Sequence, residues 1–213
     1  MAIGKVDINQ RKVTDTLKKK QDKIINAEVL LEVEDIGDSY IITLDADVVI
    51  EPYMRNRTSV IKKKNAETGQ IDLINGHMYD PLSKYKELLE KKITSQLPED
   101  YELPRGEAEI EIHVTSTLPQ NATIKEKLAA LKYGELKPLK KPDVDNIAKT
   151  IMDVYNEVIW KDDTQLYKIQ MEKSYGFKTR TLVKLTIKKD ERIYFGRATK
   201  EETEEWNSIQ QNF

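Results

Sequence analysis

Cysteine is absent from the 213-residue sequence, which excludes disulfides, thiolate zinc sites and cysteine nucleophiles together. Glycine is scarce, with eight residues and no glycine-rich loop to cradle phosphates, so no nucleotide cofactor is expected. The two histidines, His77 and His113, offer little material for histidine-based catalysis. No apolar run approaches the roughly 18 residues of a membrane span, and the first residues lack the apolar core of a signal peptide. These absences predict a cytoplasmic protein with no membrane segment.

Charge is abundant but unevenly distributed. Charged residues make up 34% of the chain and hydrophobic residues 38%, so we expect a modest core beneath a highly charged surface. The net charge of −2 and the pI of about 5.9 weigh against nucleic-acid binding. Residues 55–64 nevertheless carry five positive charges and no acid, and residues 121–150 carry seven lysines against four acids. Such segregation can present a positive face to phosphates, although solvated loops on a charged protein are the simpler interpretation.

Hydrophobic periodicity predicts a single α+β domain around a mixed sheet, in the order β-α-β-α-β-β. Residues 40–50 alternate as a half-buried strand, and the basic stretch after Pro52 is expected to form a loop or an irregular hairpin. The last two strands are expected to pair as a hairpin. The remaining predictions are a helix beginning at Asp80–Pro81, a strand over 107–114, a loop with at most one short helix over 117–142, a helix over 146–158, and strands over 165–173 and 183–187.

Both ends of the chain are expected to extend this domain. Residues 1–35 are predicted to form an N-terminal extension, either an amphipathic helix or an extended arm, and residues 36–190 the main domain. The extension can pack on the domain, pair with a second subunit or frame a nucleic acid, and the sequence does not choose among these. Residues 191–213 are predicted to be an acidic tail that adds a terminal helix.

Residues 141–163, KPDVDNIAKTIMDVYNEVIWKDD, concentrate acidic residues around one predicted helix. Pro142 favours extended backbone before it, and in an extended stretch Asp143 and Asp145 point to the same side, with Val144 toward the core. Two carboxylates this close repel each other unless a cation lies between them, and Mg²⁺ takes hard oxygen ligands. Asp145 is alternatively the N-cap of the helix. That alternative leaves Asp143 without an explanation.

Two further features lie on and after this helix. Lys149 is one turn beyond Asp145, where it can hold a phosphate or simply pair with Asp145 or Asp153 at the surface. Asp162 and Asp163 form a second acidic pair before the next strand, and they can face the first pair across the N-terminus of the helix. Acidic pairs at strand ends are often only solvated turn residues. The combination of two acids before the helix, a lysine one turn into it and two acids before the next strand nevertheless favours a divalent-metal site.

The segment resembles the signature of the RusA family of Holliday-junction endonucleases, which runs roughly K-P-D-x-D-N-hydrophobic-x-K, a helix with an internal Asp, and D-D before a strand. The resemblance implies that Asp143, Asp145 and Asp163 are the metal ligands, with Asp162 as the alternative to Asp163, and that Lys149 is the essential lysine. The matching residues are Lys141, Pro142, Asp143, Asp145, Asn146, Lys149, Asp153, Trp160, Asp162 and Asp163.

A member of this family is expected to hydrolyse phosphodiesters in branched DNA with Mg²⁺ or Mn²⁺, and to resolve four-way junctions by symmetric nicks as a homodimer. The alternatives are a nuclease of the same fold for other branched DNA or duplex, and a catalytically silent nucleic-acid-binding protein. The basic candidates for contacts to the DNA backbone are Arg55, Arg57, Lys62, Lys63, Lys64, Lys137, Lys140 and Lys141.

Overall fold

A five-stranded mixed sheet holds the hydrophobic core. The computed structural model describes residues 8–64, 71–190 and 199–210, and within these it describes the side chains except at 8–14, 58–64, 71–77 and 202. The sheet consists of β1 (Val29–Asp35), β2 (Ser39–Ala46), β5 (Ala108–Thr117), β6 (Leu166–Gly176) and β7 (Arg180–Lys188), and a separate hairpin consists of β3 (Arg57–Lys64) and β4 (Ile71–Tyr79). The helices are α1 (Ile8–Asn26), α2 (Ser83–Thr94), α3 (Ile124–Lys127), α4 (Val144–Tyr155) and α5 (Lys200–Gln210), with a π-helical turn at Leu128–Lys132 and a 3₁₀ turn at Asp163–Gln165.

The strand order is β1-β2-β7-β5-β6. All neighbours pair antiparallel except β5 and β6, which are parallel. A parallel pair needs a crossover that returns the chain from the end of one strand to the start of the next, and α4 lies in this connection. This crossover decides where the acidic residues on either side of α4 are positioned.

One face of the sheet is apolar, because side chains alternate between the faces with a period of two. Ile42, Leu185 and Ile110 align across β2, β7 and β5, and all three are buried. The next aligned set, Thr43 and Lys184 with Glu111, is polar and lies on the opposite face. The helices α1 and α4 both contact α2, which itself contacts β1. The buried side chains of these helices include Ile24, Tyr85, Leu89, Ile93, Ile147, Ile151 and Val154.

The predicted α+β class, mixed sheet and helical extension are confirmed. The basic stretch proves to be an irregular hairpin, since the register of β3 and β4 shifts between Ile61 and Lys62. The sequence does not predict β1, because the adjacent Leu30 and Leu31 break the apolar alternation that marks a strand. In the structure Leu30 is half-exposed and Leu31 is buried.

The expected hairpin of the last two strands is wrong. β5 lies between β6 and β7, and it pairs parallel with the first and antiparallel with the second. The apolar residues of β5, including Ile110 and Ile112, are buried, whereas Ile169 of β6 is half-exposed. The more buried strand, β5, therefore lies between the other two, although β6 and β7 are closer in sequence.

The proposed division after residues 35 and 190 stays a prediction. β1 falls within the first segment yet pairs with β2 along its whole length. Helix α5 is the expected terminal helix, whereas residues 191–198 and 211–213 of the acidic tail lie outside the described residues. None of the helices in the described ranges is long and apolar enough to cross a lipid bilayer.

Candidate active site

Asp143 is the N-cap residue of α4. Its backbone is extended, with φ −73° and ψ 140°, and its carbonyl oxygen accepts the amide hydrogen bond of Ile147 at 3.3 Å. The expectations that residues 143–145 are all extended, with Val144 in the core, and that Asp145 is the alternative N-cap are therefore wrong. Val144 is the first helical residue and is 38% exposed. Pro142 restricts only the residue before it, so the helix can begin directly after an Asp cap.

Asp143 and Asp145 nonetheless both lie at the exposed start of α4. The Asp143 side chain makes no capping hydrogen bond. Asp145 lies in the first helical turn, and one of its carboxylate oxygens is 3.9 Å from the Lys149 ammonium. Both side chains of this pair are more than half exposed, so the contact is weak. Asp143 thus keeps a carboxylate that the helix does not use, and Lys149 can turn toward another anion.

The segment after β2 forms the wall opposite α4. The backbone amide of Tyr53 donates to the carbonyl of Asn146 at 2.7 Å, and the Lys149 ammonium lies 5.9 Å from the centre of the Tyr53 ring. These contacts enclose an open pocket of about 410 Å³. Its lining residues are Lys23, Val49, Ile50, Glu51, Pro52, Tyr53, Lys141, Pro142, Asp143 and Asn146.

Lys86 fixes α4 against α2 beside this pocket. Its ammonium lies 2.6 Å from the carboxylate of Asp153 and 2.7 Å from that of Asp80, at the start of α2. Burial lowers the pKa of Lys86, but the hydrogen bonds to Asp153 and Asp80 outweigh burial, and the net pKa is raised. Asp153, the internal aspartate of the matched motif, therefore has a structural partner.

Asp162 and Asp163 differ in their surroundings. Asp162 caps the 3₁₀ turn, because its carboxylate accepts from the amide of Thr164 at 2.9 Å and its own amide donates to the side chain of Gln165 at 3.0 Å. The hydrogen bonds from Thr164 lower the pKa of Asp162. Asp163 is exposed, and its carboxylate has no hydrogen bond or ion pair with the described residues. Asp163 is thus the member of the pair that is free to bind a ligand.

The parallel pairing separates Asp163 from Asp143 within one chain. Gln165, two residues after Asp163, donates to the carbonyl of Gly106 at 2.8 Å, next to the start of β5. At the other end, the Lys173 ammonium donates to the carbonyl of Pro142 at 2.9 Å. The eight residues from Leu166 to Lys173 in β6 are separated by seven steps and span about 23 Å. The expectation that the second acidic pair faces the first across the helix N-terminus is therefore wrong for a single chain.

The donor set of one chain is accordingly incomplete for a three-carboxylate metal site. In the parts of the chain that the structure describes, no group of three or more His, Asp or Glu side chains is close enough to hold one ion. Asp143 and Asp145 offer two hard oxygen donors that suit Mg²⁺. The third carboxylate of the predicted set, that of Asp163, would have to come from a movement of this chain or from a second copy.

The basic candidates lie in three places. Lys141 lines the pocket, and Arg55 and Arg57 are exposed in the segment that leads from the pocket into β3. Lys137 and Lys140 are exposed in the loop before α4. The remaining three, Lys62, Lys63 and Lys64, lie in β3, but their side chains fall outside the described residues.

Sequence reasoning missed Glu51, Tyr53, Lys20 and Lys23. An acid directly after a predicted strand and before Pro52 is a local signal that could have indicated Glu51. The α1 lysines carry no such signal, because their proximity to the pocket depends on how α1 packs on the domain.

Comparison with known proteins identifies the family of this chain. A family model described as "Endodeoxyribonuclease RusA" matches residues 51–186, more than half of the chain. The chain is also similar to "Uncharacterized protein YqaN" of Bacillus subtilis (strain 168), with 34% identity over 110 residues that cover 50% of this chain and 76% of that protein. The family match includes α4, both acidic pairs and the pocket wall from Glu51, and it excludes α1. The chain belongs to the RusA family of endodeoxyribonucleases.

Proposed function

We propose that this protein is a divalent-metal-dependent endodeoxyribonuclease that resolves four-way DNA junctions by symmetric hydrolysis. The observation that supports this most is the joint position of Asp143 and Asp145 at the exposed start of α4, within the family match. Neither carboxylate is needed to cap the helix or to hold the fold. Paired carboxylates without such a structural use favour a bound cation.

Asp143 and Asp145 would hold Mg²⁺ or Mn²⁺ through their carboxylate oxygens. The bound ion would lower the pKa of a water molecule and stabilise the departing oxygen of the phosphodiester. Lys149, one turn along α4, has only a weak contact with Asp145. Its ammonium would contact a phosphate oxygen of the strand to be cut, where a positive charge stabilises the developing negative charge.

Asp163 enters this proposal through a second copy of the chain. β6 is an edge strand, and its residues Tyr167 and Ile169 are exposed by 66% and 49%. If the β6 strands of two subunits paired antiparallel, the start of one strand would lie beside the end of the other. The partner subunit's Asp163 would then approach Asp143, and each site would contain acids from both chains. A homodimer of this kind also matches the two-fold symmetry of a four-way junction.

The basic residues around the pocket would contact the DNA backbone. Lys141 lines the pocket beside Asp143, and Arg55 and Arg57 follow the lining residue Tyr53 closely in the chain. The other basic candidates are Lys62–Lys64, Lys137 and Lys140. Contacts of this type recognise shape rather than sequence and make binding steeply dependent on salt.

The test is cleavage of a synthetic four-way junction in Mg²⁺ by the wild type, by Asp143→Asn and by Asp100→Asn. Asp100 is an exposed acid in a turn away from the pocket, so its variant controls for the loss of one charge. We expect paired symmetric nicks from the wild type and from Asp100→Asn, and none from Asp143→Asn. Binding without cleavage by all three proteins would indicate a catalytically silent scaffold. Faster cleavage of flaps, forks or duplex than of the four-way junction would show that another DNA structure is the preferred substrate.

The shared site makes a separate prediction. Asp143→Asn and Asp163→Asn should each be inactive alone, but a mixture of the two should recover cleavage, because mixed dimers contain one site with both acids intact. No recovery on mixing, although the subunits exchange, would show that Asp163 acts within its own chain. Full activity of Asp163→Asn alone would remove it from the site.

A further inference from the structure

Helix α1 lies outside the residues matched by the family model, yet it reaches the pocket that contains Asp143. The helix is anchored rather than loosely attached. Ile24 is fully buried, Ala27 is nearly so, and the Lys92 ammonium of α2 donates to the carbonyl of Ala27 at 3.0 Å. The position of α1 beside the pocket is therefore part of the fold.

Two lysines of α1, spaced three residues apart on one face, approach the carboxylate of Glu51. The Lys20 ammonium lies 2.7 Å from one carboxylate oxygen and the Lys23 ammonium 3.6 Å from the other. The side chains of Glu51 and Lys20 are only 14% and 20% exposed, whereas Lys23 is 47% exposed. Lys20 thus makes the shorter and more buried contact with Glu51. Lys23, which lines the pocket, makes the longer contact and is more exposed.

The pocket lining contains residues of both charges. Glu51 and Asp143 are acidic, and Lys23 and Lys141 are basic. A phosphodiester fits this lining, because its negative charge needs the lysines around it. The acids would hold the proposed metal ion close to its scissile bond. The pocket of about 410 Å³ falls within the usual size of small-ligand sites.

We propose that Lys23 binds a backbone phosphate of the DNA in the same pocket as Asp143, and that the buried end of α1 fixes its position there. This inference rests on the proposed function for its ligand, and it extends the site into a segment outside the family match. Glu51 competes weakly with the phosphate for Lys23.

The experiment measures binding of a fluorescent four-way junction over a range of salt concentrations, without divalent metal. The proteins are the wild type, Lys23→Ala, Lys23→Arg and Lys19→Ala, which removes an exposed lysine from the same helix. Losing one phosphate contact should reduce the slope of log K against log salt by about 0.9. We expect this reduction for Lys23→Ala, with an affinity about threefold to tenfold lower at low salt, and wild-type behaviour for the other two.

A double-mutant cycle with Glu51→Gln separates a phosphate contact from a merely structural lysine. Removing the competing carboxylate should raise the affinity for the junction about twofold or more when Lys23 is present, and clearly less in Lys23→Ala, where only the loss of a negative charge and the release of Lys20 remain. A wild-type salt slope in Lys23→Ala, or an equal effect of Glu51→Gln in both backgrounds, would overturn the inference. Cleavage in Mg²⁺ is scored separately, so the failure of the nuclease assignment is distinguishable from the failure of the Lys23 contact.

Discussion

Tyr155, the last residue of α4, and Tyr101 are two tyrosines whose hydroxyl groups differ in hydrogen bonding, so removing the hydroxyl groups should have opposite effects. Tyr155 is 1% exposed, and its hydroxyl has no hydrogen-bond partner among the described residues. Tyr101 is partly buried, and its hydroxyl donates to the carbonyl of Ile159 at 2.5 Å. Burial raises the pKa of both phenols, so both hydroxyl groups are neutral at physiological pH.

The magnitudes follow from these contacts. Burying a hydroxyl without a partner costs about 1–3 kcal/mol, so Tyr155→Phe should stabilise the fold by roughly 1 kcal/mol after the small void left by the oxygen is subtracted. The edge-on ring contact with Trp160, with centroids 5.3 Å apart, is kept by Phe. Tyr101→Phe should cost about 1–2 kcal/mol, because it removes a hydrogen bond and leaves the Ile159 carbonyl unpaired.

Urea unfolding followed by circular dichroism measures both changes, and thermal melting should separate the two variants by roughly 4–12 °C for a chain of this size. The slope of the urea transition should be the same as in the wild type, so that each difference is one of stability alone. A loss of more than about 0.5 kcal/mol in Tyr155→Phe would refute the reasoning, since it would mean that the hydroxyl has a bonding partner.

Three further predictions concern stability. Lys86→Met should lower the free energy of unfolding in urea by about 1–2 kcal/mol, because the Lys86 ammonium bridges α2 and α4 while both acids remain partly solvated. A double-mutant cycle with Asp153→Asn should show a coupling energy of roughly 1 kcal/mol, and additive effects of the two substitutions would contradict this. Hydrogen bonds from Lys91 and then Lys84 lower the pKa of Glu87 from its ordinary 4.5 to about 2, so the contribution of Glu87 is present above pH 4.5 and lost as the pH falls toward 2. The melting temperatures of the wild type and Glu87→Gln should therefore differ at neutral pH and converge over that acidic range; a difference that persists at pH 2 would show another origin. Gly106→Ala should cost about 2–3 kcal/mol, because its Cβ would overlap the Cβ of Lys188 and the carbonyl oxygen of Asp190. An unchanged urea midpoint would show that the neighbouring backbone moves to accommodate the methyl group.

Several elements were predictable because their signals are local. The apolar stripe of Ile147, Ile151 and Val154 marks α4, and the alternation of residues 42–46 and 108–114 marks β2 and β5. The motif around Asp143 and Asp145 likewise depends only on neighbouring residues. The spacing of the motif residues was sufficient to indicate the RusA family, and the family match over residues 51–186 shows the same family.

Other predictions failed where local signals are ambiguous. An Asp at position 143 or at position 145 can cap a helix, and the sequence favoured the second, whereas the structure has the first. The short connection between β6 and β7 is compatible with a hairpin, but the connection does not determine which strand lies between them. Period-two alternation says which face of a strand is buried, and it says nothing about the neighbouring strand.

The sequence by itself determined the helix with acids before and after it, the apolar faces and the family. Only the tertiary structure decided that Asp163 lies at the opposite end of β6 from Asp143, and that the α1 lysines approach Glu51 beside the pocket. The physical reason is that periodicity and capping act within a few residues, whereas these distances are set by strand pairing and by helix packing between segments far apart in the chain.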